Sequence, residues 1–463
     1  MERLKMILKI IAGACLVVLI IEFGYVFYNL IIDEGKSIYF DGINSLYVNK
    51  KNYITVGSNN NNENYLERAK ITKYNQKKEK LFEKLYNKGF NGAFFDVVVD
   101  DKDLIAVGSY EKDEKEHENN LRSALIVKYD ADGNILFESD FQVLGQSKFV
   151  DVKVVEDGYL VCGQSIYDNL TIGDSKKGGA FLIKYGKDLK VEWKVNYGSS
   201  KHAIYNDILV DDDTIYVVGK NDERVGIVSI YEDDGDYVST TKYKNTDNLG
   251  FTGINKIDNR LFVVGGKVNG NDTGNTDALI VKYNLSGEYR GEVVYSNDAS
   301  ERFNRVEIDE NDNVIVIGTT SSPSKKNTGD GVSVYSYDGL IGKYNKSLDE
   351  ATVITYGDER DDYFTDVKVV DGKYLVIGYS SYEDGSYLSI DTNPYDEDDK
   401  PLAYYEAYTA IENINKALGL PESLISDMVK TSAMDGRQTE TYKNISVSWK
   451  YHPDTGLEVT YKK

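Results

Sequence analysis

The chain has 463 residues with 76 acidic and 54 basic side chains, which gives a net charge of −22. This charge excludes nucleic acid as a partner, because phosphates are bound through Lys and Arg. The sequence has only two cysteines and three histidines, so it predicts no disulfide framework, no metal site and no cofactor.

The first predicted element is a membrane span over residues 10–32, whose 23 residues exceed the roughly 20 that cross a bilayer. Basic residues precede it and acidic residues follow it: Arg3, Lys5 and Lys9, then Asp33 and Glu34. This polarity predicts a single-pass signal anchor in the cell membrane, with residues 1–9 cytoplasmic and the bulk extracellular. Cleavage or lipidation near Ala14 and Cys15 is the less favoured alternative, because the apolar run continues well beyond them.

Glu22 lies in the middle of that span. A charged side chain there costs about 2.5–3.5 kcal/mol and often marks a partner helix. The favoured alternative is that the span slides or that Glu22 is protonated.

A repeat follows, in which an aromatic or apolar residue precedes a glycine by 14 residues, or by 15 in the sixth copy. The pairs are Ile43/Gly57, Phe94/Gly108, Phe149/Gly163, Tyr205/Gly219, Phe251/Gly265, Phe303/Gly318 and Phe364/Gly378. Its period, about 50 residues, is typical of propeller blades. The repeat therefore predicts an all-β, seven-bladed β-propeller over residues 37–391.

The first six units each contain four strand-like runs, and no unit has a helical period, which argues against a βαβ fold. In the third unit these runs are 149–155, 159–163, 180–185 and 191–197. The seventh unit has runs at 366–370, 374–378 and 387–390 but lacks a fourth. We expect residues 37–40 to complete it, since ring closure removes unpaired edge strands.

The motifs F-x-D-V…D-G…L-x-x-G and A-L-I-V-K-Y-D-x-D-G-N resemble the bacterial seven-bladed β-propeller repeats of secreted and surface proteins. The resemblance covers residues 37–391 and implies the fold, but this family has no shared activity.

Beyond an acidic linker at 392–401, residues 402–463 predict a small α+β module. It comprises helices over 402–418 and 421–430 and a hairpin of 444–451 with 457–461. Its M-D-G-R-Q and S-W-K-Y-H-P-D-T-G-L-E-V-T-Y segments resemble a C-terminal module of clostridia-like surface proteins. Arg437, Trp449 and His452 either mark a recognition patch or, as we favour, include a buried Trp beside a turn His.

One position of the repeat, two residues after each aromatic marker, is rich in charge. Its residues are Ser45, Asp96, Asp151, Asp207, Gly253, Arg305 and Asp366. In a closed ring they would line the rim of the central channel, where the five charged ones are candidate ligand-binding residues. The favoured alternative is that each Asp caps the backbone of an inter-blade turn.

The loops between second and third strands vary most in length, and the longest are 109–122, 164–179 and 319–338. Insertions gathered on one face of a repeat protein often mark its binding side; tolerated surface insertions are the alternative.

No catalytic motif accompanies these features. We expect a non-catalytic scaffold that binds an extracellular protein, peptide or glycan. The alternative is an extracellular polysaccharide lyase or hydrolase using Asp151 and Asp207.

Overall fold

A computed structural model describes residues 43–462, with internal gaps. The gaps are 50, 62–65, 76–78, 114–120, 142–144, 167–177, 199–201, 244–247, 269–274, 298, 324–334, 358–361, 371–372, 381–386, 392–410, 413, 417, 422, 443–444 and 453–455. The predicted span at 10–32, Glu22 and the closing strand at 37–40 lie outside the described residues. Within the described part of the chain, no helix is long and apolar enough to cross a membrane.

The strands follow one another in groups of four, as the repeat predicts. The first three groups are β1 (Ile43–Val48), β2 (Asn52–Asn61), β3 (Leu66–Asn75), β4 (Lys80–Leu85); β5 (Phe90–Asp100), β6 (Asp103–Glu111), β7 (Ser123–Tyr129), β8 (Ile135–Phe141); and β9 (Gln146–Val155), β10 (Gly158–Ile166), β11 (Gly179–Gly186), β12 (Val191–Tyr197). The next three are β13 (Ile204–Asp211), β14 (Thr214–Lys220), β15 (Gly226–Glu232), β16 (Tyr237–Lys242); β17 (Asn248–Ile257), β18 (Arg260–Val268), β19 (Thr276–Asn284), β20 (Tyr289–Tyr295); and β21 (Ser300–Ile308), β22 (Val314–Pro323), β23 (Tyr335–Tyr344), β24 (Ala351–Gly357).

Within each group the strands are hydrogen-bonded in chain order, so each group forms an up-and-down sheet. Sheets of four strands in this order, repeated along the chain, define an all-β, propeller-like fold. We number the sheets one to six by these groups.

The described residues form two compact bodies. The first body comprises residues up to Lys267 together with Val281–Gly291, and the second comprises Val268–Ile280 and residues from Glu292 onward.

The repeat of aromatic marker and glycine has a structural cause. All seven pairs face each other across the first two strands of their unit, as in Phe149↔Gly163 and Tyr205↔Gly219. A β-bulge accompanies each pair. The bulge brings the opposite backbone so close that a Cβ on Gly163 would lie 1.9 Å from the Lys148 carbonyl oxygen. Only glycine fits there.

The marker rings form the core of the sheets together with two further aromatic positions. In five units the marker ring packs edge to face against a tyrosine at the last or the last-but-one position of the third strand, as Phe94 packs against Tyr129 at 6.3 Å between centroids. The marker also contacts an aromatic residue at the end of the preceding unit, as Tyr205 contacts Tyr197 at 5.6 Å. These contacts bury large apolar area between neighbouring sheets.

The seventh unit differs from the prediction. Its first two strands, β25 (Asp362–Val370) and β26 (Lys373–Ser380), form a two-stranded sheet. The predicted third strand, β27 (Tyr387–Asp391), instead pairs antiparallel with β24, with Ile354 opposite Ile390. Its assignment to the seventh blade is therefore wrong. Alternation identifies a strand, but the edge it joins depends on which backbone groups are open and adjacent.

The C-terminal residues continue that sheet. The hairpin of β29 (Ile445–His452) and β30 (Gly456–Lys462) is confirmed, and β28 (Gln438–Tyr442) adds a strand that was not predicted. Because β27 pairs with β30, the sixth sheet has eight strands in the order β21-β22-β23-β24-β27-β30-β29-β28. The predicted linker at 392–401 lies outside the described residues, and one sheet extends on both sides of it.

Two helical segments cover this sheet. The described residues from 411 to 418 are helical, and α1 (Ser423–Lys430) follows; Ala433–Asp435 form a 3₁₀ turn. The predicted stop at Gly419 is confirmed: its φ is +67°, and Leu420 N–H donates to the Asn415 carbonyl at 2.8 Å. Ile411, Leu424 and Trp449 join one hydrophobic cluster with Ile354 and Phe364.

Trp449 is 3% exposed and its Nε1 donates to Thr431 Oγ1 at 2.8 Å. The favoured interpretation, a buried tryptophan, is confirmed. Arg437 is exposed and pairs with Glu458 at 2.9 Å.

Candidate functional site

The charged position of the repeat lies directly after the β-bulge of the first strand. The extra residue of each bulge stands immediately after the marker, and the charged position follows it, as Asp151 opposite Cys162 and Arg305 opposite Ile317. A bulge redirects the side chains beside it. It therefore turns this position out of the regular alternation of the first strand and toward the neighbouring unit.

In the first body the aspartates at this position bind the backbone of the next sheet. Val152 N–H donates to Asp96 Oδ2 at 3.0 Å and Ile208 N–H to Asp151 Oδ2 at 2.9 Å. Ile254 N–H donates to Asp207 Oδ2 at 2.9 Å. Each donor is the residue that directly follows the same position one unit later. The three aspartates therefore join consecutive sheets through amides inside strands, whereas the alternative expectation was that they cap inter-blade turns.

Two further side-chain contacts support these joints. Ser45 Oγ donates to Asp96 Oδ1 at 2.6 Å, which links the first and second sheets. The bulge residues Asn44 and Asn206 donate through Nδ2 to the carbonyl of the next marker, Phe94 at 2.7 Å and Phe251 at 2.6 Å. Asparagine at the bulge thus satisfies a carbonyl, while aspartate two places after the marker satisfies an amide.

Lys153 lies between two of the aspartates. Its Nζ is 2.9 Å from Asp151 Oδ1 and 3.3 Å from Asp207 Oδ1. Burial raises the pKa of Asp151 well above its ordinary value, and the carboxylates of Asp207 and Asp96 raise it further against the opposing effect of Lys153. Burial lowers the pKa of Lys153, but these three carboxylates outweigh it and hold that pKa well above the usual range. The Lys153 ammonium thus interacts electrostatically with three closely spaced carboxylates.

In the second body, the printed contacts of the same position are of other kinds. Val367 N–H donates to Oδ1 of its own neighbour, Asp366, at 2.8 Å. Lys368 Nζ lies 3.3 Å from Asp366 Oδ1 and 3.2 Å from Glu307 Oε1. Asn304 Nδ2 reaches the Phe364 carbonyl at 3.4 Å. Arg305 is partly buried and carries no acceptor atom with which to bond a neighbouring amide.

That the five predicted ligand-binding residues form one site stays a prediction. Asp96, Asp151 and Asp207 share one cluster in the first body, and Arg305 and Asp366 lie in the second. No group of three or more described His, Cys, Asp or Glu side chains has the arrangement of a metal site. Residues 130–134, which form the D-x-D-G-N end of the second repeat motif, are a turn in which Asp130 Oδ1 accepts the Asp132 and Asn134 amides at 2.9 and 2.8 Å.

The centres of the three long predicted loops, at 114–120, 167–177 and 324–334, lie outside the described residues. Their ends extend the strands: β22 continues to Pro323, which pairs with Tyr335 in β23. The sequence predicts a loop over 319–338, but Thr319–Ser322 are also in the ladder.

The sequence reasoning also missed Lys153, Asn44 and Asn206. All three could have been found by aligning the seven units on the marker and reading the positions one and four residues after it. Asn recurs in the first of these columns at 44, 206 and 304, and Lys in the second at 153 and 368.

Comparisons with known proteins find no family and only structural similarities with TM-scores below 0.5. Neither a protein-family model nor a curated protein sequence matches the chain. Among solved structures it is similar to the Dos1 propeller, with 10% identity, a TM-score of 0.42, and coverage of 75% of this chain and 94% of that chain. It is also similar to a glucose dehydrogenase, with 10% identity, a TM-score of 0.38, and coverage of 60% and 94%. The propeller domain of the Trilobed protease from Pyrococcus furiosus gives 10% identity, a TM-score of 0.31, and coverage of 66% and 94%. Similarity at this level carries no functional argument.

Proposed function

We propose that the chain is a membrane-anchored, extracellular, seven-bladed β-propeller that acts as a non-catalytic binding scaffold. It would be held in the membrane by residues 10–32 and would receive a protein, peptide or glycan on the face that carries the loops of 109–122, 164–179 and 319–338. The repeat families of secreted and surface proteins, which its motifs resemble, favour this location.

One observation carries the non-catalytic part of the proposal. Asp96, Asp151 and Asp207 accept backbone amides of the next sheet at 2.9 to 3.0 Å, and each is no more than 8% exposed. A catalytic carboxylate needs an oxygen within reach of substrate. Because these aspartates join the sheets, we assign ligand recognition to the variable loops, where repeat proteins commonly bind partners.

A second candidate is a polysaccharide lyase or hydrolase, because one observation favours it. Asp151, whose pKa is raised well above its ordinary value by burial and by neighbouring carboxylates, lies in one cluster with Asp207. General acid–base catalysis uses a carboxyl group with a raised pKa close to a second carboxyl group. Against it stands the use of both carboxyl groups in joints between sheets.

The two candidates are separated by testing the full chain on a glycan array and in pull-downs, beside two variants. One variant shortens residues 324–334 to a Gly-Ser turn, and the other is Asp151→Asn with Asp207→Asn. The scaffold predicts binding without turnover that survives the double substitution and is lost in the shortened loop. Cleavage of a bound polysaccharide that disappears in the Asn variant would contradict the scaffold and support the enzyme.

A further inference from the structure

The outer strands of the sheets differ in how their edges are protected. In the first five sheets the fourth strand is the last in the order, so one side of its backbone faces away from the sheet. Proteins commonly protect such an edge with charged side chains, above all lysine. Four of the six fourth strands contain a basic residue: Lys84 in β4, Lys194 in β12, Lys242 in β16 and Arg290 in β20. Within their bounds, β8 and β24 contain none.

Strand β24 shows that an outer strand of this fold accepts a further strand. β27, which comes from outside the sixth unit, pairs with it antiparallel from Ile354↔Ile390 to Gly357↔Tyr387. Strand addition of this kind is a common way for a sheet to bind an extended peptide. Main-chain hydrogen bonds then give affinity, and side-chain contacts give specificity.

Strand β8 is the other outer strand without a basic residue, and its first residues expose apolar side chains. Ile135, Leu136 and Phe137 are 40%, 44% and 49% exposed. The ladder between β7 and β8 has a bulge between Ile135 and Phe137 and is regular from Phe137 to Phe141. In the described part of the chain, β8 ends the order of its sheet. The exposed apolar residues therefore lie beside a regular stretch of edge backbone.

The exposure of Phe137 has a counterpart in the turn of the next unit. Phe82 holds the same place in β4, opposite a lysine of the third strand, and is partly buried. Gly133 of the next turn approaches that ring so closely that a Cβ would lie 2.9 Å from it. In the third unit Leu189 takes the place of this glycine, with a φ of +57° and a buried side chain. A leucine there fills the space that glycine leaves to the ring, so Phe137 stays in solvent.

The surroundings of these apolar residues are acidic. Four acids and no basic residue lie between positions 130 and 141: Asp130, Asp132, Glu138 and Asp140. Lys88 and Lys112 form ion pairs with Glu138 and Asp140, and Asp132 is exposed in the turn that leads into β8. A second copy of this chain would bring the same acids and a net charge of −22. Charge complementarity therefore favours a cationic segment of another protein.

We propose that the outer edge of β8 binds an extended segment of a partner protein, in which apolar residues are followed by Lys or Arg. The segment would pair antiparallel with Phe137–Phe141 and cover Ile135 and Leu136 with its apolar side chains. Because antiparallel strands run in opposite directions, its C-terminal end lies beside the start of β8, where the basic side chain would meet Asp132. This surface lies at the end of the second sheet opposite to the loop of 109–122, so it is distinct from the binding face of the proposed scaffold.

The probe is a fluorescein-labelled peptide, Thr-Ile-Thr-Ile-Thr-Ile-Lys, titrated into the full chain and followed by fluorescence anisotropy. We expect it to bind, and we expect the peptide with Glu in place of its Lys to bind at least about tenfold more weakly. The same peptide with methylated backbone nitrogens has no N–H donors for the ladder and should show no binding up to about 1 mM.

Two matched substitutions locate the site. Phe137→Lys places on β8 the kind of residue that protects the other outer strands, and it should weaken binding of the peptide by about tenfold or more. Phe137→Leu keeps an apolar side chain and should stay within about threefold of the original affinity. Tyr237→Lys is the control, because Tyr237 is 60% exposed on β16, which already carries Lys242, and its affinity should be unchanged.

Amide hydrogen exchange gives a second readout that needs no variant. Saturating peptide should slow exchange in residues 135–141 and leave exchange in residues 237–242 unchanged, because only the first strand gains hydrogen bonds. Slowed exchange in the second strand and not in the first would place the peptide elsewhere and overturn the proposal.

Four other results would also overturn it: no binding of the Lys peptide, equal binding of the methylated peptide, no effect of Phe137→Lys, or an equal effect of Tyr237→Lys. A concentration-dependent dimer that sedimentation detects in the unsubstituted chain and not in Phe137→Lys would show that a second copy is the occupant, against the proposed cationic partner. Capture by the loop face on the glycan array is measured separately, so failure at β8 leaves the proposed scaffold untouched.

Discussion

The joints between consecutive sheets differ between the two bodies, although both use the same bulge. In the first body, Asp96, Asp151 and Asp207 each accept an amide of the next sheet. In the second body, the Arg305 guanidinium cannot accept one, and the contacts between the sixth and seventh units include those of Asn304 with the Phe364 carbonyl and of Lys368 with Glu307. The bulge therefore sets where the side chain points, and the residue type sets whether it bonds the neighbouring backbone.

The bulge itself should matter equally in both bodies. An added Cβ would lie 1.9 Å from the Ile204 carbonyl oxygen in Gly219→Ala and 2.0 Å from the Tyr363 carbonyl oxygen in Gly378→Ala. Neither backbone can yield without breaking the ladder, so we expect each substitution to lower the free energy of unfolding by about 3 kcal/mol or more, measured in urea. Gly419→Ala is the control: its φ is +67° but nothing lies within 4 Å, so strain alone should cost about 1 kcal/mol. Equal costs at Gly219 and Gly419 would contradict the close-approach explanation.

Removal of one aspartate joint should have the next largest effect. Asp96→Ala leaves the buried amide of Val152 and the hydroxyl of Ser45 without their acceptor, which should cost about 2 kcal/mol. Asp96→Asn keeps one acceptor oxygen and should cost less. In the second body, Asn304→Ala removes a bond of 3.4 Å and should cost under about 1 kcal/mol. Thermal or urea unfolding of the three variants tests the order, and an Asn304→Ala effect as large as that of Asp96→Ala would refute it.

Lys153 should contribute less, and in a pH-dependent way. Lys153→Met leaves Asp151 and Asp207 without their shared cation, and we expect it to lower the free energy of unfolding by about 1 kcal/mol at pH 7. The effect is this small because the Lys153 side chain is 36% exposed, so solvent screens the ion pairs. The pKa of Asp151 is raised in the folded state, so ionisation of this carboxyl lowers the stability of the folded protein at high pH. This loss of stability disappears as the pH falls toward the pKa of Asp151 in the unfolded state.

The cost of Lys153→Met should therefore shrink between pH 7 and pH 5, about one pH unit above the ordinary pKa of Asp. Urea unfolding at both pH values measures it. Asp151→Asn in the Lys153→Met background should remove this pH dependence, and a cost that grows toward pH 5 would show that the acids are not the cause.

Much of the fold could be predicted from the repeat, because the strands of each unit are indicated by residues that are close together in the sequence. The pair of marker and glycine indicates the first hairpin of all seven units, since only glycine tolerates the bulge. The alternation of Val447 and Trp449 likewise indicates the buried face of the last hairpin. These signals depend on neighbours within about 15 residues.

What could not be predicted depends on partners far away in the chain. Strand β27 has a recognisable pattern, but its pairing with β24 and β30 is decided by which edges are open nearby. Asp96 shows the same limit at the candidate site: its sequence context fits a turn cap, a ligand or a joint, and only the Val152 amide, 56 residues away, distinguishes them. The pattern supplies the chemistry of a side chain, whereas its role depends on what the fold places opposite it.

The smallest effect, and the most direct test of the comparison, should come from placing the missing aspartate in the second body. Arg305→Asp offers an acceptor to the Val367 amide, which at present donates to Asp366. We expect this substitution to raise the free energy of unfolding by about 0.5 kcal/mol. The gain is smaller than that of a typical hydrogen bond, because Asp366 and Glu307 repel the new charge. Arg305→Ala removes the guanidinium without adding an acceptor and is the matched control. If Arg305→Asp is no more stable than Arg305→Ala, the residue type at this position does not decide how sheets are joined. If it is more stable and the difference grows at high salt, where repulsion among exposed acids is screened, the joint of the first body has been reproduced in the second.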